Sequence, residues 1–556
     1  MKTKLCLCVS VALGITVVNV HAGELTISPS ATLKAYQVDI DGEPENNQRN
    51  EAVFASELVT TSDYESNLYS SSLKVEWVDY QHTESRDVEL NYVDVTWGNT
   101  WSFLEERLTA YADYSRKHDY LTDFQGNFDS QLFGYENNIL MHEKGAGLAY
   151  LVPETKDLDG VVKIDYSDSS SSSRGEEDSE AGDVSTSFID SGNVTGYAKL
   201  GQYDNDPDTM WYADLTRTEY YRNGDDVYDS IESSIKGRLP LYGHLHLVAT
   251  GYYGETDSSS LIDLEGDSDT QSLKTNGIGL AWKRGERFYV EVTHEWNHSN
   301  DSTFLAGVAS WQIAPNWSAS WEKQKRVYSD VESASLIYAN ERHTFTASHN
   351  ETIEVRRQNQ KVLVGETLYV CDIEDAATAV CFEPESDDYL VGDDQFTYTA
   401  SNYAYPIVER LVFVEETVAE WKYDNLSQWR HIVNVEWREE SSMESESDAS
   451  SSTLGKEVFE VDVDGEWTLD DVSAIKPAFY FADTKSAGLG RTVERQASLV
   501  YEHELNRNSE VSVGVKHTNI DSFRENFKVD GYSVFATYTY HFGKNNKSRR
   551  GLYPER

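Results

Sequence analysis

Carboxylates recur at every second or fourth position in two short segments of this chain. Glu291 and Glu295 lie in Phe288–Trp296, and Glu460, Asp462, Asp464 and Glu466 lie in Phe459–Leu469, interleaved with Phe, Val and Trp. Side chains of a β-strand alternate faces, so this spacing gathers the acids of each segment on one side. Such a row does electrostatic work: it makes a negative wall that attracts cations and repels anions. Lys323, Lys325 and Arg356, with Arg326 and Arg357 beside them, are the counter-charges. Set across an aqueous interior, they would supply the transverse field that wide pores use.

Other chemistry has less to stand on. His294 with His298, and Ser348 with His349, are residue types of nucleophilic catalysis, yet no nucleophile motif surrounds them. No enzyme activity and no catalytic residue are expected. Asp39-Ile40-Asp41-Gly42-Glu43 and Asp462-Val463-Asp464-Gly465-Glu466 look like calcium loops but fail the full loop spacing, so no metal or other cofactor is expected. Cys371 and Cys381 stand in a loop-like stretch without further Cys or His nearby, which favours a disulfide over a metal site.

The elements that must hold the acid rows read as strands from one end of the chain to the other. In Trp429–Trp437, Trp429, His431, Val433, Val435 and Trp437 share one side, and Arg430, Asn434, Glu436 and Arg438 the other. Aromatic residues at both ends of a short apolar stripe suit a strand that meets lipid between two interfaces. Arg or Lys at the bilayer midplane costs about 2–4 kcal/mol and acids somewhat less, so the carboxylate side must face an aqueous lumen. The start of the chain has Lys2 and Lys4, an apolar run from Leu5 to Val18 and then Val20-His21-Ala22, the order of a secretory signal peptide spanning residues 1–22. Cys6 and Cys8 would leave with it. No later run is apolar enough for a membrane helix, so a spanning chain must close into a barrel.

The chain has 47 basic and 96 acidic residues. Residues 1–22 contain Lys2 and Lys4 and no acid, which leaves 45 − 96 = −51 for the remainder. Nucleic acid is excluded as a partner by the sign of that charge. Disorder is argued against by 13 Trp and 35 Tyr.

Tight turns at Gly98-Asn99-Thr100, Arg284-Gly285-Glu286, Pro315-Asn316 and Asn506-Arg507-Asn508 alternate with polar loops at Asp168–Gly192, Glu255–Thr270 and Glu439–Gly455. This asymmetry, with short turns periplasmic and long loops outside, predicts an all-β, transmembrane, antiparallel up-and-down β-barrel over residues 23–542, without a plug or soluble domain. Counting hairpins gives about 24 strands, within a range of roughly 20–26. Near Tyr92 the apolar face slips by one residue, which predicts a β-bulge. The last strand ends in Tyr538, Tyr540 and Phe542 on one face and is similar to the C-terminal insertion signal of outer-membrane barrels; a basic periplasmic tail, residues 543–556, follows.

The opening strand Ile27-Ser28-Pro29-Ser30-Ala31-Thr32-Leu33 and Ala/Ser-rich strands such as Ser333-Ala334-Ser335-Leu336-Ile337-Tyr338 resemble the outer-membrane β-barrels found with exopolysaccharide and PEP-CTERM sorting systems. That resemblance implies a part in surface polysaccharide or surface-protein export and assigns no residue a role. The expected function is a pore, for export or as a passive channel with an acidic, cation-preferring lumen. The alternative is a non-conducting scaffold whose acidic external loops bind a surface polymer. Expected partners are outer-membrane lipid and lipopolysaccharide, the barrel-assembly machinery, and exopolysaccharide or its export machinery. A TonB-dependent transporter is set aside because no plug segment precedes the first strand.

Overall fold

The computed structural model of the 556-residue chain describes residues 24–542, apart from 43–48, 83–89, 121–137, 156–157, 174–189, 203–209, 223–224, 260–267, 286, 327–329, 360–361, 373–380, 383–394, 405–406, 426–427, 443–454, 487–489 and 523–526. The expected leader and basic tail lie outside the described residues. The strands are β1 (Glu24–Gly42), β2 (Arg49–Glu65), β3 (Tyr69–His82), β4 (Leu90–Phe103), β5 (Leu108–Tyr120), β6 (Asn138–Val152), β7 (Asp159–Ser173), β8 (Asp190–Gln202) and β9 (Met210–Arg222). They continue as β10 (Asp225–Tyr242), β11 (Leu245–Ser259), β12 (Ser268–Arg284), β13 (Phe288–Asn297), β14 (Ser302–Ala314), β15 (Trp317–Lys325), β16 (Asp330–Ala339), β17 (His343–Asn359) and β18 (Val362–Asp372). The remainder are β19 (Cys381–Phe382), β20 (Gln395–Ala404), β21 (Ile407–Asp424), β22 (Trp429–Ser442), β23 (Lys456–Asp470), β24 (Ser473–Ser486), β25 (Gly490–Asn506), β26 (Ser509–Ser522) and β27 (Phe527–Tyr540).

Twenty-four of these strands form one closed antiparallel sheet in chain order, with β17 joined to β21 and β27 joined back to β1. Closure satisfies the edge groups that an open sheet would leave unpaired. It extends past β27: Ile27 and Phe542 exchange backbone bonds of 2.9 and 2.7 Å. Strands β18, β19 and β20 form a separate small sheet inserted between β17 and β21, and its ladder sets Cys371 directly opposite Cys381.

The sheet is inside out relative to a water-soluble protein. Leu33, Ile235, Leu305, Trp467 and Val534 are exposed on its outer face, whereas Glu291, Thr293 and Glu295 are buried on its inner face. The Trp429–Trp437 alternation follows this rule: Val433 pairs with exposed Trp421 on the outside, and Glu440 pairs with buried Val414 on the inside. Hairpin turns are short at the end where β1 starts, as at 243–244, 315–316, 471–472 and 507–508. Beside each of these four turns the ladder slips register, at Pro240/Tyr242, Trp311/Ala314, Thr468/Asp470 and Glu504/Asn506. A bulge there lets a tight connection match the twist of the strands it joins.

Two local expectations are corrected. Gly98-Asn99-Thr100 lies inside β4; the turn is 104–107, where Leu104, Glu105 and Glu106 hold φ of 53°, 59° and 67°. Gly98 and Asn99 imitate a turn signal, yet Asn99 is buried in the wall and accepts a bond from the Tyr69 hydroxyl at 2.5 Å. Nor does β4 slip near Tyr92. Its register with β3 is continuous, and Tyr92, opposite Val78, is an apolar residue of the inner face.

Candidate functional site in the inner wall

Along an arc of wall running from β21 across the closure to β4, inner-face side chains change character with depth. At the end away from the short turns they are shielded: Val412, Val458, Ile520, Val529, Val38, Val53 and Val78 are each no more than 3% exposed, and Glu440, opposite Val414, and Glu494, opposite Ile520, are buried among them. In a wide water-filled cylinder these groups would be wet, and here they are not. Their parity is that of the acids; β22 carries Glu440 on the same side as Arg438, Glu436 and Ile432.

Below this collar Lys34 meets Glu57 at 3.0 Å and Asp94 meets His118 at 2.7 Å, whereas Arg438, opposite Val458, reaches Glu436 at 3.4 Å and Glu440 at 3.2 Å at the level of the collar itself. Nearer the short turns the inner face is open: Ile432 is 40% exposed although apolar, and Lys74, Lys422 and Arg430 are also exposed. Along this arc the described inner face is therefore exposed towards the short turns and shielded at the far end.

Between β9 and β15 the wall curls tightly enough for side chains from non-adjacent strands to meet. Lys236 on β10 contacts Glu291 on β13 at 2.6 Å, and both are largely buried. Arg238 lies 5.5 Å from the Tyr289 ring, whose hydroxyl donates to Glu291. Arg326, just after β15, reaches back to Glu232 on β10 and stands 5.6 Å from the Tyr252 ring of β11. Glu295 accepts from Thr250 at 2.6 Å and Thr275 at 3.3 Å. Gly277 makes room for it, since a Cβ there would collide with the Glu295 carboxylate. Buried charges persist only when paired and hydrogen-bonded in this way.

The acids singled out from the sequence fall on the inner face but in two separate places. Glu291 and Glu295 belong to the curled sector, whereas Glu460, Asp462, Asp464 and Glu466 lie on β23, where Glu466 pairs with Arg430. They do not form one continuous negative wall. Lys323 is a correction. In the register of β14, β15 and β16 it lies two residues from outward Trp321, opposite Gly307 and Glu332, and so sits on the outer face, where it pairs with Glu332 at 3.5 Å. Lys325 has the same parity and pairs with Asp330 at 3.7 Å, but its ammonium lies 5.8 Å from the ring of Phe304, which is opposite inner-face Glu295. The side chain of Arg356 lies outside the described residues, as do those of Cys371 and Cys381. Tyr538 and Phe542 are exposed on the outer face, with Tyr540 4.4 Å from the Phe542 ring. Among the cations that line the interior, Lys34, Lys236, Arg238 and Arg438 were not selected from the sequence; each sits at an even position of a strand whose odd positions are mostly apolar, a signal that could have found them.

No family model matches the chain and no curated protein does. Solved structures similar to it include the siderophore receptor PirA from Acinetobacter baumannii (9% identity, TM-score 0.42, covering 92% of this chain and 80% of that one). Another is the ferric-catecholate import receptor Fiu from E. coli K12 (10%, 0.42, 92% and 81%). A third is the copper transporter OprC (10%, 0.42, 94% and 81%). They are transport proteins rather than enzymes. None is described as a diffusion channel, a polysaccharide exporter or a scaffold, and the expectation of a passive cation-preferring pore, an export exit or a silent scaffold is corrected on that finding. No residue role passes from them to this chain.

Proposed function

We propose that the protein is an integral barrel of the Gram-negative outer membrane that carries a selected polar solute through a passage shut at its outer end. Exposed apolar side chains over the whole outer face support the membrane location, because patches far larger than a few hundred Å² are not left to water. The observation that carries the gated reading is the shielded collar at Val412, Val458, Ile520, Val529, Val38, Val53 and Val78, set above an open vestibule. A permanently open channel has no reason to hide these groups. The paired Lys, Arg, His, Asp and Glu within and beneath the collar offer donors and acceptors to a solute once the closure moves.

Planar-bilayer recording tests this reading. The purified barrel is expected to show no steady conductance, and Ile520→Asp or Val529→Asp, which places a carboxylate in the shielded layer, is expected to produce conductance steps. Large ohmic conductance from the unsubstituted barrel would overturn it.

A further inference from the structure

On the outer face beside the short turns, two histidines are held in a nest of aromatic rings. His343 begins β17, Trp421 and Tyr423 end β21, and Trp429 and His431 begin β22. Their registers align them: His343 faces Tyr423, which faces His431, and outward, exposed Trp467 faces Trp429. The His343 ring lies parallel to Trp421 at 6.2 Å and 4.8 Å from Tyr423; the His431 ring lies 4.6 Å from Trp421 and 5.2 Å from Tyr423.

The hydrogen bonds fix what the imidazoles can still do. Trp421 Nε1 donates to His343 Nδ1 at 3.4 Å, and Trp429 Nε1 donates to His431 Nδ1 at 2.8 Å. A nitrogen that accepts carries no proton, so each neutral ring keeps its proton on Nε2. Among the described residues neither Nε2 meets a protein acceptor. Arg342, exposed in the turn before His343, adds a permanent positive charge. Two N–H donors of set tautomer, a guanidinium and a platform of indole rings thus share a lipid-facing rim. No carboxylate is paired with them among the described residues, in a chain of formal charge −49.

We propose that this nest binds the phosphate of a glycerophospholipid of the periplasmic leaflet, with the rings packing on the glycerol and upper acyl chains. A membrane interface supplies that ligand at this height, and aromatic belts already favour it. What the ordinary belt lacks is directed donors, and here the indoles spend their own N–H groups on orienting the imidazoles. The proposal rests on the outer-membrane reading above.

Native mass spectrometry of the full barrel, released from detergent with added phosphatidylglycerol or with diacylglycerol, which lacks the phosphate, tests it. The barrel is expected to retain phosphatidylglycerol at activation energies that strip diacylglycerol, and His343→Phe/His431→Phe, which keeps flat rings but removes both donors, to weaken retention by at least about tenfold. Equal retention by the double variant, or equal retention of diacylglycerol, would overturn the site. Heat-modifiable gel mobility of the variant checks that the barrel still closes. A barrel that stays folded and monodisperse without detergent would sink the membrane reading itself, a result separable from loss of the site.

Discussion

Two Lys–Glu pairs of this barrel have the same chemistry and opposite settings. Lys236 and Glu291 meet at 2.6 Å inside the curled sector, 12% and 3% exposed; Lys323 and Glu332 meet at 3.5 Å on the outer face, 45% and 40% exposed. Register alone separates them. Lys236 takes the parity of Arg238 on β10, opposite outward Ile235 and Leu239, while Lys323 takes the parity of Trp321. A lysine and a glutamate are therefore a structural necessity in one place and a solvated surface detail in the other, and the residue types carry no hint of which.

The difference predicts unequal costs. Glu291→Leu leaves the Lys236 ammonium buried without its partner and is expected to destabilise the folded barrel by about 3–5 kcal/mol. Denaturant unfolding in lipid vesicles measures it, and Lys236→Met/Glu291→Leu should recover most of the loss. If the double variant is no better than the single, the pair is not the reason. The small inserted sheet gives the next effect: Cys371 opposite Cys381 in the ladder predicts a disulfide, seen as a two-hydrogen mass loss removed by reductant. Its loss in Cys371→Ser should speed proteolysis of the insert in line with about 2–4 kcal/mol of local stability. A native mass that keeps both thiol hydrogens contradicts that. In the 104–107 turn, Glu105→Gly should stabilise by about 1 kcal/mol, because a non-glycine residue at φ 59° pays a left-handed cost that glycine does not. Smallest is Lys323→Ala, expected within about 1 kcal/mol of the parent and smaller still in high salt. A loss as large as that of Glu291→Leu would place Lys323 back in the interior.

The same contrast marks what could be read from the residues. Strand period, the closed sheet and a strand number of 24 were legible, since strict alternation with Trp at stripe ends leaves few other solutions in hydrocarbon. The facing of Lys323 was not: Trp317, Trp321, Lys323 and Lys325 share one parity, and a lysine beside a strand end can reach polar surroundings from the lipid side. The collar was hidden because Val, Ile and Tyr at its positions make the outer ends of strands apolar on both faces, which reads as a bulge at Tyr92 or as a plain buried strand. Turn 104–107 was hidden because Leu-Glu-Glu-Arg holds none of the residues that usually mark a reversal. The curled sector depends on contacts between strands three or more apart, which no local pattern encodes.

Side-specific thiol labelling probes the closed outer end most directly. With Cys371 and Cys381 replaced by serine, Val458→Cys and Ile432→Cys are compared in intact cells and in cells opened to the periplasm, using a membrane-impermeant maleimide. The expected pattern is Ile432→Cys labelled only after opening and Val458→Cys protected in intact cells. Rapid labelling of Val458→Cys in intact cells, at the rate of an exposed loop cysteine, would show a lumen open to the outside and contradict the closure.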